Sequence, residues 1–202
     1  MKHKKFIQRF QITNNYSLFT NKGYTLVELL AATSIIVIVS GLIVGILYST
    51  LRGGNKTKVT NDVSQNGNYA LSIIANTALI SEDVTKVGGV AISDCTNPLL
   101  SSEKTSIEFK QADGSLINFS CDAQTQSIAS TSGSITTYLI DNNSVKVDPT
   151  TCAFTCIQNN ANPYSQPIIN VSFTVSQRGS GTYENVATSP FNTSVTMRNY
   201  SP

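Results

Sequence analysis

Histidine is almost missing from this chain: in 202 residues the only one is His3. Everything after it lacks the commonest general base and the commonest neutral metal ligand. That weighs against a membrane-anchored enzyme, and no catalytic residue, cofactor or metal is expected. Charge is missing from one long stretch, since no Asp, Glu, Lys or Arg occurs between Glu28 and Arg52. A secretory-type cleavage site is missing too. After Leu47 the chain reads Tyr48-Ser49-Thr50-Leu51-Arg52-Gly53-Gly54, without a small-x-small site, so the apolar stretch should stay on the mature protein. Clustered acids are absent: Asp94, Glu103, Glu108, Asp113, Asp122, Asp141, Asp148 and Glu184 are dispersed among polar residues and read as solvated surface. No internal repeat is visible.

What the chain does have is one long apolar segment. From Leu29 to Leu47 nearly every residue is Leu, Ile, Val, Ala or Gly, relieved by Thr33, Ser34 and Ser40. As a helix these roughly 19 positions would extend about 28 Å, close to the thickness of a bilayer's hydrocarbon core. In front of it stands a basic leader. Of the 14 basic residues, Lys2, Lys4, Lys5, Arg9 and Lys22 lie in 1–23 with no acid, leaving nine against 12 acids, a net of −3 for the rest. The leader therefore reads as the cytoplasmic side, outweighing Arg52, Lys56 and Lys58 beyond the span. A nucleic-acid-binding patch is not indicated for the ectodomain. Phe6, Ile7, Phe10 and Ile12 give the leader some apolar character, consistent with a short interfacial helix.

Glu28 sits at the front edge of this segment. A carboxylate costs about 2.5–3.5 kcal/mol at the centre of a membrane helix and less near the interface. One turn from the helix start it is physically cheap, and the bland reading gives it no role. The surrounding pattern supports more. Lys22-Gly23-Tyr24-Thr25-Leu26-Val27-Glu28-Leu29-Leu30 resembles the processing motif of type IV pilins and pseudopilins, with Tyr24 in place of the more usual phenylalanine. The resemblance covers about thirty residues. It implies that a prepilin peptidase cuts between Gly23 and Tyr24 and methylates the Tyr24 amine. It also implies that Glu28 serves in assembly with other pilin or pseudopilin subunits. The chain would sit in the bacterial inner membrane as a single-pass protein, its ectodomain outside the cytoplasm, and pass from there into a pilus or periplasmic fibre. Thr193-Ser194-Val195-Thr196-Met197-Arg198-Asn199 is similar to the last strand of some minor subunits, and the long leader points the same way. The rival class is an adhesin-like binding module that uses a pilin-like start only as an anchor.

The remaining organisation follows from periodicity. Within the span, Gly41 and Gly45 form a Gly-x-x-x-Gly pair, suited either to close helix packing or to local melting. Beyond Gly53-Gly54, where a kink would fall, Val59, Val63, Ala70, Ile73, Ile74 and Thr77 recur at helical spacing, with weak helix formers at Asn66-Gly67-Asn68. From about Val84 the period becomes two. Ile107–Phe109 and Ile117–Cys121 should form a hairpin across Ala112-Asp113-Gly114. Ile135–Ile140 should turn at Asp141-Asn142-Asn143 into Val145–Val147. Ile169–Val175 and Phe191–Met197 alternate cleanly around a turn at Gly179-Ser180-Gly181, and the Ser/Thr-rich stretch 127–134 reads as exposed loop. The expected fold is α+β: a long N-terminal helix, membrane-spanning in its first half, packed on an antiparallel sheet. Its parts are a removed leader 1–23, an assembly helix 24–51, an amphipathic continuation 52–83 and a β-rich ectodomain 84–202.

Cys95, Cys121, Cys152 and Cys156 all fall on the non-cytoplasmic side, where disulfides form. Three pairings are possible, and nearness in sequence selects Cys95–Cys121 with Cys152–Cys156. A four-thiolate zinc site is the alternative, although only Cys152 and Cys156 are closely spaced. Asp141-Asn142-Asn143-Ser144 is the nearest thing to a calcium loop, against the plainer reading of a hairpin turn.

Overall fold

A computed structural model describes residues 23–159, 162, 165–179 and 186–201. The leader, with its basic residues, His3 and the interfacial-helix candidates, lies outside the described residues, as do Ser180, Gly181 and Glu184. The chain divides into two units, residues 1–47 and 48–202.

In the first unit the described residues form the start of helix α1, Leu26–Ile80. Between Glu28 and Arg52 it is free of proline and charge, and no residue there interrupts the hydrogen-bonded ladder. Gly53 and Gly54 are helical, so no break occurs there. The apolar segment reaches a mean hydropathy of 2.6 with none of it buried, and it is long enough to cross a membrane.

In the second unit the rest of α1 packs on antiparallel strands, giving the α+β architecture. Val63, Gly67, Ala70, Ile74 and Ala78 are buried along one stripe of the helix, with Val59, Leu71 and Ile73 partly buried beside it. Gly67 therefore belongs to the packed face and does not interrupt it. It lets the Phe191 ring approach the helix backbone, for a Cβ there would come closer than 3.0 Å to three ring atoms.

A six-stranded sheet has the order β2-β1-β3-β4-β5-β6. Its strands are β1 Asp83–Val87, β2 Val90–Ala91, β3 Ser106–Lys110, β4 Leu116–Asp122, β5 Ser127–Ser132 and β6 Ile135–Tyr138. The expected β3–β4 hairpin is present, and Gly114 closes its turn at φ 80°, a conformation that favours glycine. The second sheet comprises β7 Val145–Val147, β8 Ala153–Ile157, β9 Ile168–Gln177 and β10 Thr188–Thr196. Here β10 pairs with β9 along one edge, while β8 and β7 lie end to end along the other. Ile169, Val171, Phe173 and Val175 of β9 are all buried, as their alternation requires. Phe109 and Phe119 meet edge-on at 6.1 Å in the core, and Phe173 stacks on Phe191 at 5.6 Å.

Two expectations about the strands are corrected. The stretch 127–134 is not an exposed loop. Its first six residues are β5, with Ser127, Ile128 and Ala129 buried, because small hydroxylated residues sit on a ladder as readily as in a loop when an isoleucine anchors one face. Nor does β6 form a hairpin with β7. β6 pairs with β5, and β7 pairs with β9, so Asp141–Ser144 is a crossover between sheets. Asp141 accepts from Asn143 N at 3.0 Å and Ser144 Oγ at 2.8 Å. This local turn chemistry serves a crossover as well as a hairpin.

The cysteine pairing is corrected as well. The bonds are Cys95–Cys156 and Cys121–Cys152, with Cα separations of 5.5 and 6.0 Å. Cys152 and Cys156 bracket an extended strand and are therefore about 13 Å apart, beyond the roughly 7 Å that one disulfide spans. Each instead ties β8 to the other sheet, Cys156 to the segment after β2 and Cys152 to β4. Between them Lys104 and Phe154 exchange backbone hydrogen bonds of 3.0 and 2.7 Å. All four cysteines are thus consumed, which rules out the zinc alternative.

Candidate functional site

The N-terminal junction is built by the first turn of α1. Thr25 caps the helix: its Oγ1 accepts from Glu28 N–H at 3.2 Å. In return Glu28 Oε2 accepts from Thr25 N–H at 3.4 Å and from the Thr25 hydroxyl at 3.3 Å. This is a capping box, which satisfies two backbone donors left over at the helix start. The helix dipole also favours a carboxylate there. The pattern Thr-x-x-Glu ahead of an apolar run carries that signal, yet Thr25 was not among the residues singled out from the sequence.

Gly23, Tyr24 and Glu28 lie together on an exposed stretch, Tyr24 being 84% exposed. A peptide bond so placed is open to an enzyme. Leu26, Val27, Leu29 and Leu30 surround the carboxylate with exposed apolar side chains. Among the described residues Oε1 of Glu28 has no partner, so one oxygen is engaged locally and the other is open to a cation.

The cysteines lie far along the chain from this junction and serve as cross-links. Among the described residues no group of three or more His, Cys, Asp or Glu could hold a metal ion. The Asp141 turn is no exception, since its carboxylate already caps Asn143 and Ser144. In comparisons with protein families, curated proteins and solved structures, nothing matches the chain.

The acids are not uniformly solvated surface, as their dispersal had suggested. Glu108 has a side chain only 13% exposed and pairs with Lys86 at 3.1 Å, while Thr85 donates to it at 2.7 Å. Burial pushes the Asp83 carboxyl above the usual carboxylate range, against the Val84 N–H that draws it down. Asp94, Asp113, Asp122 and Asp148 each accept from Ser or Thr groups in their own turns, which holds their carboxyls below the usual range. Asp141 is lowered in the same way, chiefly by the Asn143 N–H. These are turn-forming groups with satisfied acceptors.

Two open clefts lie in the second unit among the described residues. One, of about 390 Å³, lies between the β1–β2 hairpin and the 3-10 turn Pro98–Ser101, with Val90, Leu99 and Lys104 on its walls. The other, of about 380 Å³, is bordered by Gln126, Lys146, Asp148, Thr174 and Thr188.

Proposed function

We propose that this chain is a structural subunit of a type IV pilus-like or type II secretion-like fibre, made as a precursor, cleaved after Gly23 and assembled through its N-terminal helix. One observation carries the reading. A helix segment apolar and exposed on every side from Leu29 to Leu47 is headed, one turn in, by a single carboxylate, Glu28, with Thr25-Leu26-Val27 between it and Gly23-Tyr24. Such a surface is unfavourable in water at roughly 25 cal/mol per Å². A bilayer removes that cost before assembly, and the helices of neighbouring subunits remove it afterwards.

The basic leader keeps the N-terminus in the cytoplasm and sends the disulfide-bonded ectodomain to the oxidising side. Cleavage creates an ammonium on Tyr24. In the fibre, Glu28 of one subunit pairs with the Tyr24 amine of its neighbour. Removing one partner of a buried ion pair costs about 3–5 kcal/mol, so a subunit in the wrong register leaves two charges unmatched in an apolar interior. Glu28 thereby sets register, while the apolar helix supplies most of the packing.

The test is the N-terminal sequence and intact mass of the protein from its native membrane. Methylated Tyr24 as the first residue is expected; a retained leader in cells with an active prepilin peptidase ends the proposal. Glu28→Gln should insert and be cleaved normally yet enter fibres poorly. Unimpaired incorporation would remove the register role.

A further inference from the structure

The sheet edges are guarded unequally. In the six-stranded sheet, β2 is only two residues long. In the four-stranded sheet, β10 carries Pro190, which has no N–H to offer a neighbour. The free side of β7 is occupied, with Val147 N donating to Gln126 O at 2.7 Å, and β8 is bridged to Lys104. The opposite end of the six-stranded sheet is different. All four residues of β6, Ile135-Thr136-Thr137-Tyr138, are exposed, including Ile135 at 71% and Tyr138 at 44%. Residues 123–140 contain no Asp, Glu, Lys, Arg or Pro. β6 has none of the charges, prolines or bulges that protect an edge strand.

Its backbone polarity can be read from the ladder. Leu139 N donates to Ile128 O at 2.9 Å, so odd-numbered residues turn their N–H and C=O towards β5. Thr136 and Tyr138 turn theirs to the open side, where no described residue meets them. We propose that β6 pairs edge to edge with β6 of a second copy of this chain, about a two-fold axis passing through Thr137. An antiparallel pair related by a two-fold normal to the sheet keeps like faces together, so residues of the same parity oppose each other. Thr136 then meets Tyr138 of the second copy in a hydrogen-bonded pair, Tyr138 meets Thr136, and Thr137 meets itself. The seam forms about four backbone hydrogen bonds.

A second copy suits this edge better than an unrelated peptide. Self-pairing sets Thr against Thr and Thr against Tyr, both favourable cross-strand neighbours, and no like charges face each other because none are present. The contact is isologous and closes at two copies. A four-residue edge buries far less than the roughly 1,200 Å² of a stable free dimer. The pairing is therefore weak in dilute solution and becomes populated where the exposed apolar segment of α1 gathers copies in one micelle or bilayer, raising their effective concentration. It requires that segment to enter lipid, but neither cleavage at Gly23 nor a role for Glu28.

The test uses the full chain in detergent micelles and in phospholipid vesicles under mild oxidation. In the proposed register the two Thr137 Cα atoms lie about 4.5 Å apart, within disulfide range, whereas the two Thr136 Cα atoms are about 8 Å apart and outside it. Thr137→Cys should give cross-linked dimer at least tenfold faster than Thr136→Cys or Ala112→Cys, the last being an exposed control on the β3–β4 turn. Equal rates at the three positions, or no dimer at Thr137, would overturn the seam. A check without added cysteine is sedimentation of the wild type against Thr136→Pro and Thr136→Val, since the proline deletes one outward N–H together with the hydroxyl bond to Thr131 Oγ1 of β5, and the valine deletes that hydroxyl bond alone. Self-association should weaken about tenfold in the proline variant relative to the valine variant, and an association constant equal in the two would also overturn the proposal.

Discussion

Replacing Gly67 by alanine tests how the strands of the second unit grip the helix. On an exposed helix the change stabilises by about 1 kcal/mol, because glycine is the poorer helix former. Gly67 is instead fully covered, and an added Cβ would stand closer than 3.0 Å to the Phe191 ring. That ring cannot simply retreat, for its other side stacks on Phe173 at 5.6 Å, and Phe173 is buried in the centre of β9. Overpacking of this kind costs about 1–3 kcal/mol, and the disturbed aromatic pair adds about 0.5–1.5 kcal/mol. Set against the propensity gain, Gly67→Ala should destabilise by about 1–3 kcal/mol. The sign should reverse once the ring is trimmed: in a Phe191→Leu background the same substitution should be neutral or stabilising, by up to about 1 kcal/mol. The chain has no tryptophan, so urea unfolding at fixed detergent is best followed by far-UV circular dichroism. A double-mutant cycle then gives the coupling directly. If Gly67→Ala stabilises the wild-type background, the ring is not wedged on the helix and the reasoning fails.

Two other outcomes follow from the cross-links and the turns. Cys121 and Cys152 close a span of 31 residues, and replacing both by serine should cost about 3–4 kcal/mol on chain-entropy grounds. Because that loop is nested within the 61-residue span of Cys95–Cys156, losing the outer bond alone opens an effective loop of only about 30 residues and should cost a similar amount. Peptide mapping without reduction should recover these two linkages, and a Cys152–Cys156 peptide would contradict the strand between them. For pH, the folded carboxyls of Asp94, Asp113, Asp122, Asp141 and Asp148 are lowered by their turn donors, so their contribution is present above the ordinary value of 3.8 and is lost as pH falls through the folded values. Asp83, raised by burial, acts in the opposite sense, its penalty being relieved on acidification. Five against one gives a net decline in stability below about pH 4, checked by thermal melts across that range. Asp122→Asn should flatten the decline, and stability rising into acid would refute the assignment.

The parts of the fold legible in the sequence are those fixed by local period. The alternation of Ile169, Val171, Phe173 and Val175 announces a half-covered strand, and the Val63, Ala70, Ile74 stripe announces the helix face that covers it. Non-local choices were not legible. Asp141-Asn142-Asn143 encodes a turn, but the same hydrogen bonds serve a hairpin and a crossover, and only the partners of β6 and β7 distinguish them. Serine and threonine in β5 look like loop until β4 and β6 pair on either side. The cysteine pairing was partly legible: Ala153-Phe154-Thr155-Cys156 alternates like a strand, and a strand cannot be bridged from one end to the other. At the N-terminal junction, Gly23, Tyr24 and Glu28 stand out through their motif. Thr25 needed only the spacing of a capping box.

The distribution of packing along α1 separates the work of the two units. From Val63 onward the helix buries a stripe against strands that are cross-linked twice through β8 and stacked through Phe173 and Phe191, which closes the core of the second unit. The described residues before Val59 receive no such cover, and they hold the chain's longest apolar surface. In the fibre proposed above, that surface would supply the assembly energy, but apolar packing alone is indifferent to axial register. A buried charge pair is not. The capping box matters here because it holds Glu28 in one rotamer with one oxygen turned towards Thr25, so the cost of ordering the carboxylate is met within the first turn and not at the moment of pairing. Under that proposal a carboxylate held in this way discriminates between registers while the surrounding leucines and valines supply the affinity.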